Sequence, residues 1–111
     1  MELTHVAIAE NETILARVEA LGGGYVWEPE IFVISLMDSA ISDGDSTFLL
    51  NLHGVKQIAL NASRLSISGL RAIAGIPGLE SLVLAKTTVS EEQLLLLGQI
   101  GPEVQLFTEE D

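Results

Sequence analysis

Short clusters of branched apolar residues recur along this chain at a fixed step. Ile34-Ser35-Leu36, Ile58-Ala59-Leu60 and Leu82-Val83-Leu84 are spaced 24 residues apart. The same step carries Ser39 onto Ser63 and Thr87, Ile41 onto Leu65 and Val89, and Ser42 onto Ser66 and Ser90. It also carries Leu70 and Ile73 onto Leu94 and Leu97. So many matched columns over three copies mark an internal repeat, which has to be recognised before any fold is assigned.

Inside each unit the hydrophobic period changes. Val33 to Met37, Gln57 to Asn61 and Ser81 to Ala85 are short, rich in Val, Ile and Leu, and predict single strands. A turn follows, ending in Ser42, Ser66 or Ser90, whose hydroxyl suits a helix N-cap. Ser90-Glu91-Glu92-Gln93 has the capping-box pattern, and Asp43 and Asp45 place acids where a helix dipole favours them. The segments beyond the caps carry helical spacing, with Leu70, Ile73 and Ala74 in one unit and Leu94, Leu97 and Gly98 in the next. Gly54, Gly78 and Gly101 or Pro102 are expected to close these helices. The first unit is degenerate, with Asp45-Ser46-Thr47-Phe48 where the others show clean spacing.

The first 30 residues lie outside the repeat. From Ile8 to Leu21 the apolar positions 14, 15, 18 and 21 share one helical face, with Glu10, Glu12, Arg17 and Glu19 elsewhere. Gly22-Gly23-Gly24 ends that helix. Tyr25-Val26-Trp27 predicts a short strand, turned by Glu28-Pro29-Glu30 into the first repeat strand. Trp27 and Tyr25 are the other candidates for a contact surface, but one face of this strand is expected to pack on the first helix (Ile14, Val18, Leu21), which favours a core role. At the other end Glu103 to Phe107 predicts a last strand, 22 rather than 24 residues after its predecessor.

A unit of the form L-x-x-L-x-L-x-x-[ST]-x-[VIL]-[ST] resembles the leucine-rich repeat in its bacterial 24-residue variety. It is clearest in Leu79-Glu80-Ser81-Leu82-Val83-Leu84-Ala85-Lys86-Thr87-Thr88-Val89-Ser90, and again from Val55 to Ser66. The resemblance implies an α/β fold: a short leucine-rich-repeat solenoid, with a parallel sheet on one face, helices on the other and an N-terminal helix-strand cap. A single domain over 1–111 follows, divided into a cap (1–30), three repeats (31–101) and a terminal strand with an acidic tail (102–111). So short an array predicts a gently curved slab rather than a horseshoe. Stacking would align Ile34, Ile58, Leu82 and Val104 in one buried ladder and Leu36, Leu60, Leu84 and Leu106 in the next. Ile41, Leu65 and Val89 would point inward from the turns.

Composition removes several function classes. With 5 Lys+Arg against 16 Asp+Glu the net charge is −11, which repels phosphate, so neither nucleic acid nor an anionic membrane is an expected partner. There is no cysteine, hence no disulfide and no thiolate metal site. No uncharged apolar run approaches a membrane span, and Met1 to His5 lacks the basic start of a signal peptide. A cytoplasmic location is therefore expected. Asp43-Gly44-Asp45 resembles a fragment of a calcium loop without the further oxygen ligands at the required spacing, and reads as helix capping. His5 and His53 stand far apart, and no serine sits in a nucleophile elbow. The triple glycine is no phosphate loop, because no Lys-[ST] follows it. No enzyme, no cofactor and no metal are expected.

What remains is the open surface of the sheet: Val33, Ser35 and Met37; Gln57, Ala59 and Asn61; Ser81, Val83 and Ala85; Gln105 and Phe107. These eleven positions contain no charged residue in a strongly acidic chain. Charge depletion with interleaved apolar side chains is the composition of an interface centre. The expectation is a non-catalytic module that binds an unidentified protein through its strand face, as a monomer. The rival expectation is an acidic inhibitor of the immunity-protein type that neutralises a basic toxin or enzyme.

Overall fold

The structure is a computed structural model that describes residues 5–28, 31–87 and 89–107. It is α/β, with a five-stranded, mostly parallel sheet. In chain order the elements are α1 (His5–Ala20), β1 (Gly24–Glu28), β2 (Ile31–Ala40), α2 (Asp43–Ser46), a 3-10 turn (Thr47–Asn51), β3 (Gln57–Asn61), α3 (Ile67–Ala74), β4 (Ser81–Ala85), α4 (Glu91–Gly98) and β5 (Glu103–Phe107). The strands lie in sequence order, β1-β2-β3-β4-β5. β1 is antiparallel to β2, whereas β2 to β5 are parallel. The parallel direction follows from the connections, since each helical segment returns the chain to the same end of the sheet before the next strand begins.

The strand register matches the 24-residue step. Ile34, Ile58, Leu82 and Val104 are successive partners, as are Leu36, Leu60, Leu84 and Leu106. Ile34, Ile58, Leu60 and Leu82 are wholly buried, and fully burying each such side chain contributes roughly 1.5–3 kcal/mol. Leu70, Ile73, Leu94 and Leu97 close the core from the helices, and Ile41 and Leu65 from the turns, with Val89 partly buried beside them. Leu106 departs from the ladder expectation: it lies 52% exposed, because among the described residues no further strand or helix covers the outer side of β5.

The caps form as their side chains dictate. Ser66 and Ser90 accept from the backbone N–H of Gly69 and Gln93, three residues on. Gln93 does not complete a capping box; its side-chain oxygen instead lies 3.4 Å from the Ser90 hydroxyl. Helices α3 and α4 stop at Ala74 and Gly98. Gly54 and Gly78 therefore do not close helices; they turn the chain back toward the next strand with φ of 80° and 83°, a region glycine enters without a Cβ penalty. The degenerate first unit yields one α-helical turn and a 3-10 turn. β2 runs to ten residues because its pairing to β3 jumps from Leu36–Leu60 to Ala40–Asn61.

Helix α1 covers the β1–β2 end. Val18, Ile14 and Leu15 are buried, and Gly23 passes so close to β2 that a Cβ would meet Leu36 Cδ2 and the Ser35 carbonyl at 2.6 Å. Asn11, fully buried on this helix, donates to the His53 carbonyl and accepts from the His53 N–H, both at 2.8 Å. One side chain thus clasps the cap helix to the first return loop. Trp27 packs on the core and stacks against Phe32, with centroids 4.9 Å apart. Tyr25 stays partly exposed; the Glu19 carboxylate that accepts from its hydroxyl raises its pKa above the ordinary value. The expected turn residues Pro29 and Glu30, as well as Thr88 and the acids Glu109 to Asp111, fall outside the described residues.

Candidate functional site

Because side chains alternate along a strand, the register assigns the face opposite the helices without ambiguity. One row across the sheet runs Val26, Val33, Gln57, Ser81, Glu103. The next runs Gly24, Ser35, Ala59, Val83, Gln105. The third continues through Asn61, Ala85 and Phe107, with Met37 beside it on β2. Val33, Ser35, Met37, Gln57, Ala59, Ser81 and Val83 are half-buried, each shielded by its lateral neighbours while its tip reaches solvent. Gln105 is exposed, and the side chain of Phe107 lies outside the described residues.

Two of the eleven expected positions are not accessible. Asn61 and Ala85 are buried. Asn61 Oδ1 accepts from the Ser63 N–H and shapes the turn that leaves β3, while the Ala85 carbonyl accepts from the Ala62 N–H of the neighbouring turn. Both serve the strand ends rather than the surface. Two further residues belong to the face. Val26 arrives through the β1–β2 pairing and is exposed. Glu103 arrives through its pairing with Ser81, so the row Val26, Val33, Gln57, Ser81 is uncharged over four strands and ends in one carboxylate. The 22-residue step that links Leu82 to Val104 also links Ser81 to Glu103, and this signal was present in the sequence.

The remaining polar groups assemble elsewhere. Asp43 accepts from the Ser66 N–H at 2.9 Å and from the Ser66 hydroxyl at 2.5 Å. These bonds to its charged form hold the Asp43 carboxyl below the usual carboxylate range. Asp43 therefore ties the first unit to the N-terminus of α3, which is capping as the sequence suggested, directed at the neighbouring unit's helix rather than its own. His53 Nε2 lies 2.8 Å from Glu10 Oε2, both partly exposed. On the helix side a groove of about 500 Å³ runs between α1 and the 3-10 turn, lined by Glu10, Thr13, Ile14, Arg17, Phe48 and Asn51. Arg17 already sits over the Phe48 ring at 5.0 Å, so its charge is engaged within the fold.

Among the described residues no three His, Asp or Glu side chains gather as a metal site would require, and no helix is long and apolar enough to cross a membrane. Comparison with protein-family models, with curated proteins and with solved structures finds no match to this chain.

Proposed function

We propose that this chain is a non-catalytic protein-interaction module, a short leucine-rich-repeat array that binds another protein through its strand face. One observation carries the reading: a chain with a net charge of −11 keeps Val26, Val33, Ser35, Met37, Ala59 and Val83 together on an open sheet surface without a charge among them. Acids dispersed elsewhere keep the rest of the surface hydrated, while the uncharged patch is cheap to desolvate. The 24-residue register and the helix-backed parallel sheet support the repeat assignment.

The size of the face limits what it can do alone. Five strands about 4.8 Å apart and five residues rising about 3.3 Å each give a patch of about 300 Å². A standard interface takes about 800 Å² from each partner. The partner must therefore also touch the loops at the strand ends, or bind transiently.

A photo-crosslinking residue in place of Ala59, compared with one in place of the exposed Arg71 on α3, tests the face. The expected result is a discrete adduct from position 59 that disappears when Val83→Glu is added. Equal adducts from both positions, or indifference to Val83→Glu in a folded protein, would refute it. The charge favours a second reading, an inhibitor that captures a basic toxin or enzyme. Its signature is an association rate that falls steeply with salt, whereas contact through Val, Met and Ala is nearly salt-independent.

A further inference from the structure

The two ends of the sheet are finished differently. At the β1 end the chain reverses, and α1 packs over the first strands. At the β5 end nothing among the described residues follows, and β5 pairs with β4 alone. The Glu103 N–H points inward, donating to the Glu80 carbonyl. Successive residues of a strand direct their backbone groups to opposite edges, so the N–H and C=O of Val104 and Leu106 face the open side.

The side chains at this end agree with the backbone. Leu96 and Ile100 are each 45% exposed and Leu106 is 52% exposed, all contributed by the last helix, the turn after it and the last strand. Charge supplies the third observation. From Thr87 to Asp111 the sequence has no Lys, Arg or His, while Glu91, Glu92 and Glu103 are all exposed. A second copy of the chain would bring the same acids against these, so charge opposes self-pairing here.

We propose that the β5 edge is a second docking site, taking an extended peptide segment of another protein as a sixth strand. The alternation of β5 dictates what that strand carries. On the helix side it meets Leu106, which is 52% exposed, and presents apolar side chains. On the strand-face side it meets Glu103 and Gln105 and presents Lys or Arg. The ligand is thus an alternating apolar-basic strand, held by main-chain hydrogen bonds and selected by charge. This site borders the strand face, sharing Glu103 and Gln105 with it, but it is formed by the backbone edge of β5 and does not depend on the reading given above.

The probe is a capped peptide of about eight residues alternating valine and lysine, titrated into the full chain and followed by calorimetry. It is expected to saturate below about 1 mM. A glutamate-for-lysine version should not bind, and raising the salt from about 0.05 to 0.5 M should weaken the lysine peptide about tenfold. N-methylation of alternate amides should abolish binding in one of the two registers, because it removes the donors to the edge. Leu106→Pro removes only an outward N–H and an exposed side chain, so it is expected to fold and to lose the peptide. If that variant does not fold, the N-methylated peptides still decide. Ala59→Arg on the strand face should leave the affinity unchanged. Absence of binding, equal binding of the glutamate peptide, binding indifferent to N-methylation in both registers, or a dimer of the intact chain blocked by Leu106→Pro would each overturn the proposal.

Discussion

Asn11→Ala removes the clasp between the cap helix and the first return loop, and its cost can be built from the contacts. Two hydrogen bonds of 2.8 Å are lost, and the side chain that made them is wholly buried. Each intramolecular hydrogen bond contributes about 1 kcal/mol net, and a backbone group orphaned without water costs about 1–3 kcal/mol. His53 is only half-buried, so water partly rescues its N–H and C=O and the lower end of that range applies. Alanine also returns roughly half a kcal/mol of helix propensity. The net expectation is a loss of about 2–3 kcal/mol from a domain whose total is about 5–15 kcal/mol. Urea denaturation followed by circular dichroism measures it, with the midpoint falling and the melting temperature dropping by about 10 °C. His53→Ala keeps the backbone bonds and loses only the contact with Glu10, a surface pair of about 0–1 kcal/mol. If Asn11→Ala costs less than about 0.5 kcal/mol, or no more than His53→Ala, the clasp does not hold the helix and the reasoning fails.

Leu82→Ala empties a wholly buried position between Ile58 and Val104 and should cost about 2–5 kcal/mol by chemical denaturation, whereas Ser68→Ala on the exposed side of α3 should cost less than about 0.5 kcal/mol. Asp43 has a folded pKa below its unfolded value of 3.8, so the stability it adds is present above that value and lost as pH falls through the folded pKa. Asp43→Asn should therefore flatten that part of the stability–pH curve, and wild type and variant should converge once the pH has fallen below the folded pKa of Asp43 in acid titrations of the folded fraction. A Cβ at Gly69 would collide with the Asp43 carboxylate, so Gly69→Ala should destabilise the wild type and cost markedly less in an Asp43→Ala background, as a double-mutant cycle would show. Calcium at millimolar concentration should leave the melting temperature unchanged, since Asp43 spends both oxygens on Ser66; a reproducible rise would restore a metal role to that segment.

The parts legible in the sequence were those with a local periodic cause. β3, β4 and β5 fall where the 24- and 22-residue steps placed them, and Ser66 and Ser90 cap as their position required. Asn11 was not legible. Its partner lies 42 residues away, and a buried amide on an otherwise apolar helical face leaves no periodic trace. The cross-unit reach of Asp43 escaped for the same reason, because capping logic looks along one helix and not toward its neighbour. Of the candidate face, the alternation was readable, but the burial of Asn61 and Ala85 depends on turns whose hydrogen bonds form only after the strands are aligned. Leu106 shows the reverse error: repetition predicts burial for every rung, yet among the described residues the last rung has only one neighbour.

The contrast between a reversed first strand and an unreversed last one also sets how the length of such a chain can change. β3 pairs with β4 through five positions with a constant offset of 24, and β4 with β5 through five positions with an offset of 22. Tandem duplication of residues 57–80 would insert one more rung between β3 and β4 and leave every other pairing as it is. A duplication spanning β1 and β2 would place an antiparallel strand inside a parallel ladder, where its hydrogen-bond spacing has no match. Growth and shortening by whole units are therefore open to the half of the molecule beyond β2 and closed to the half that carries α1.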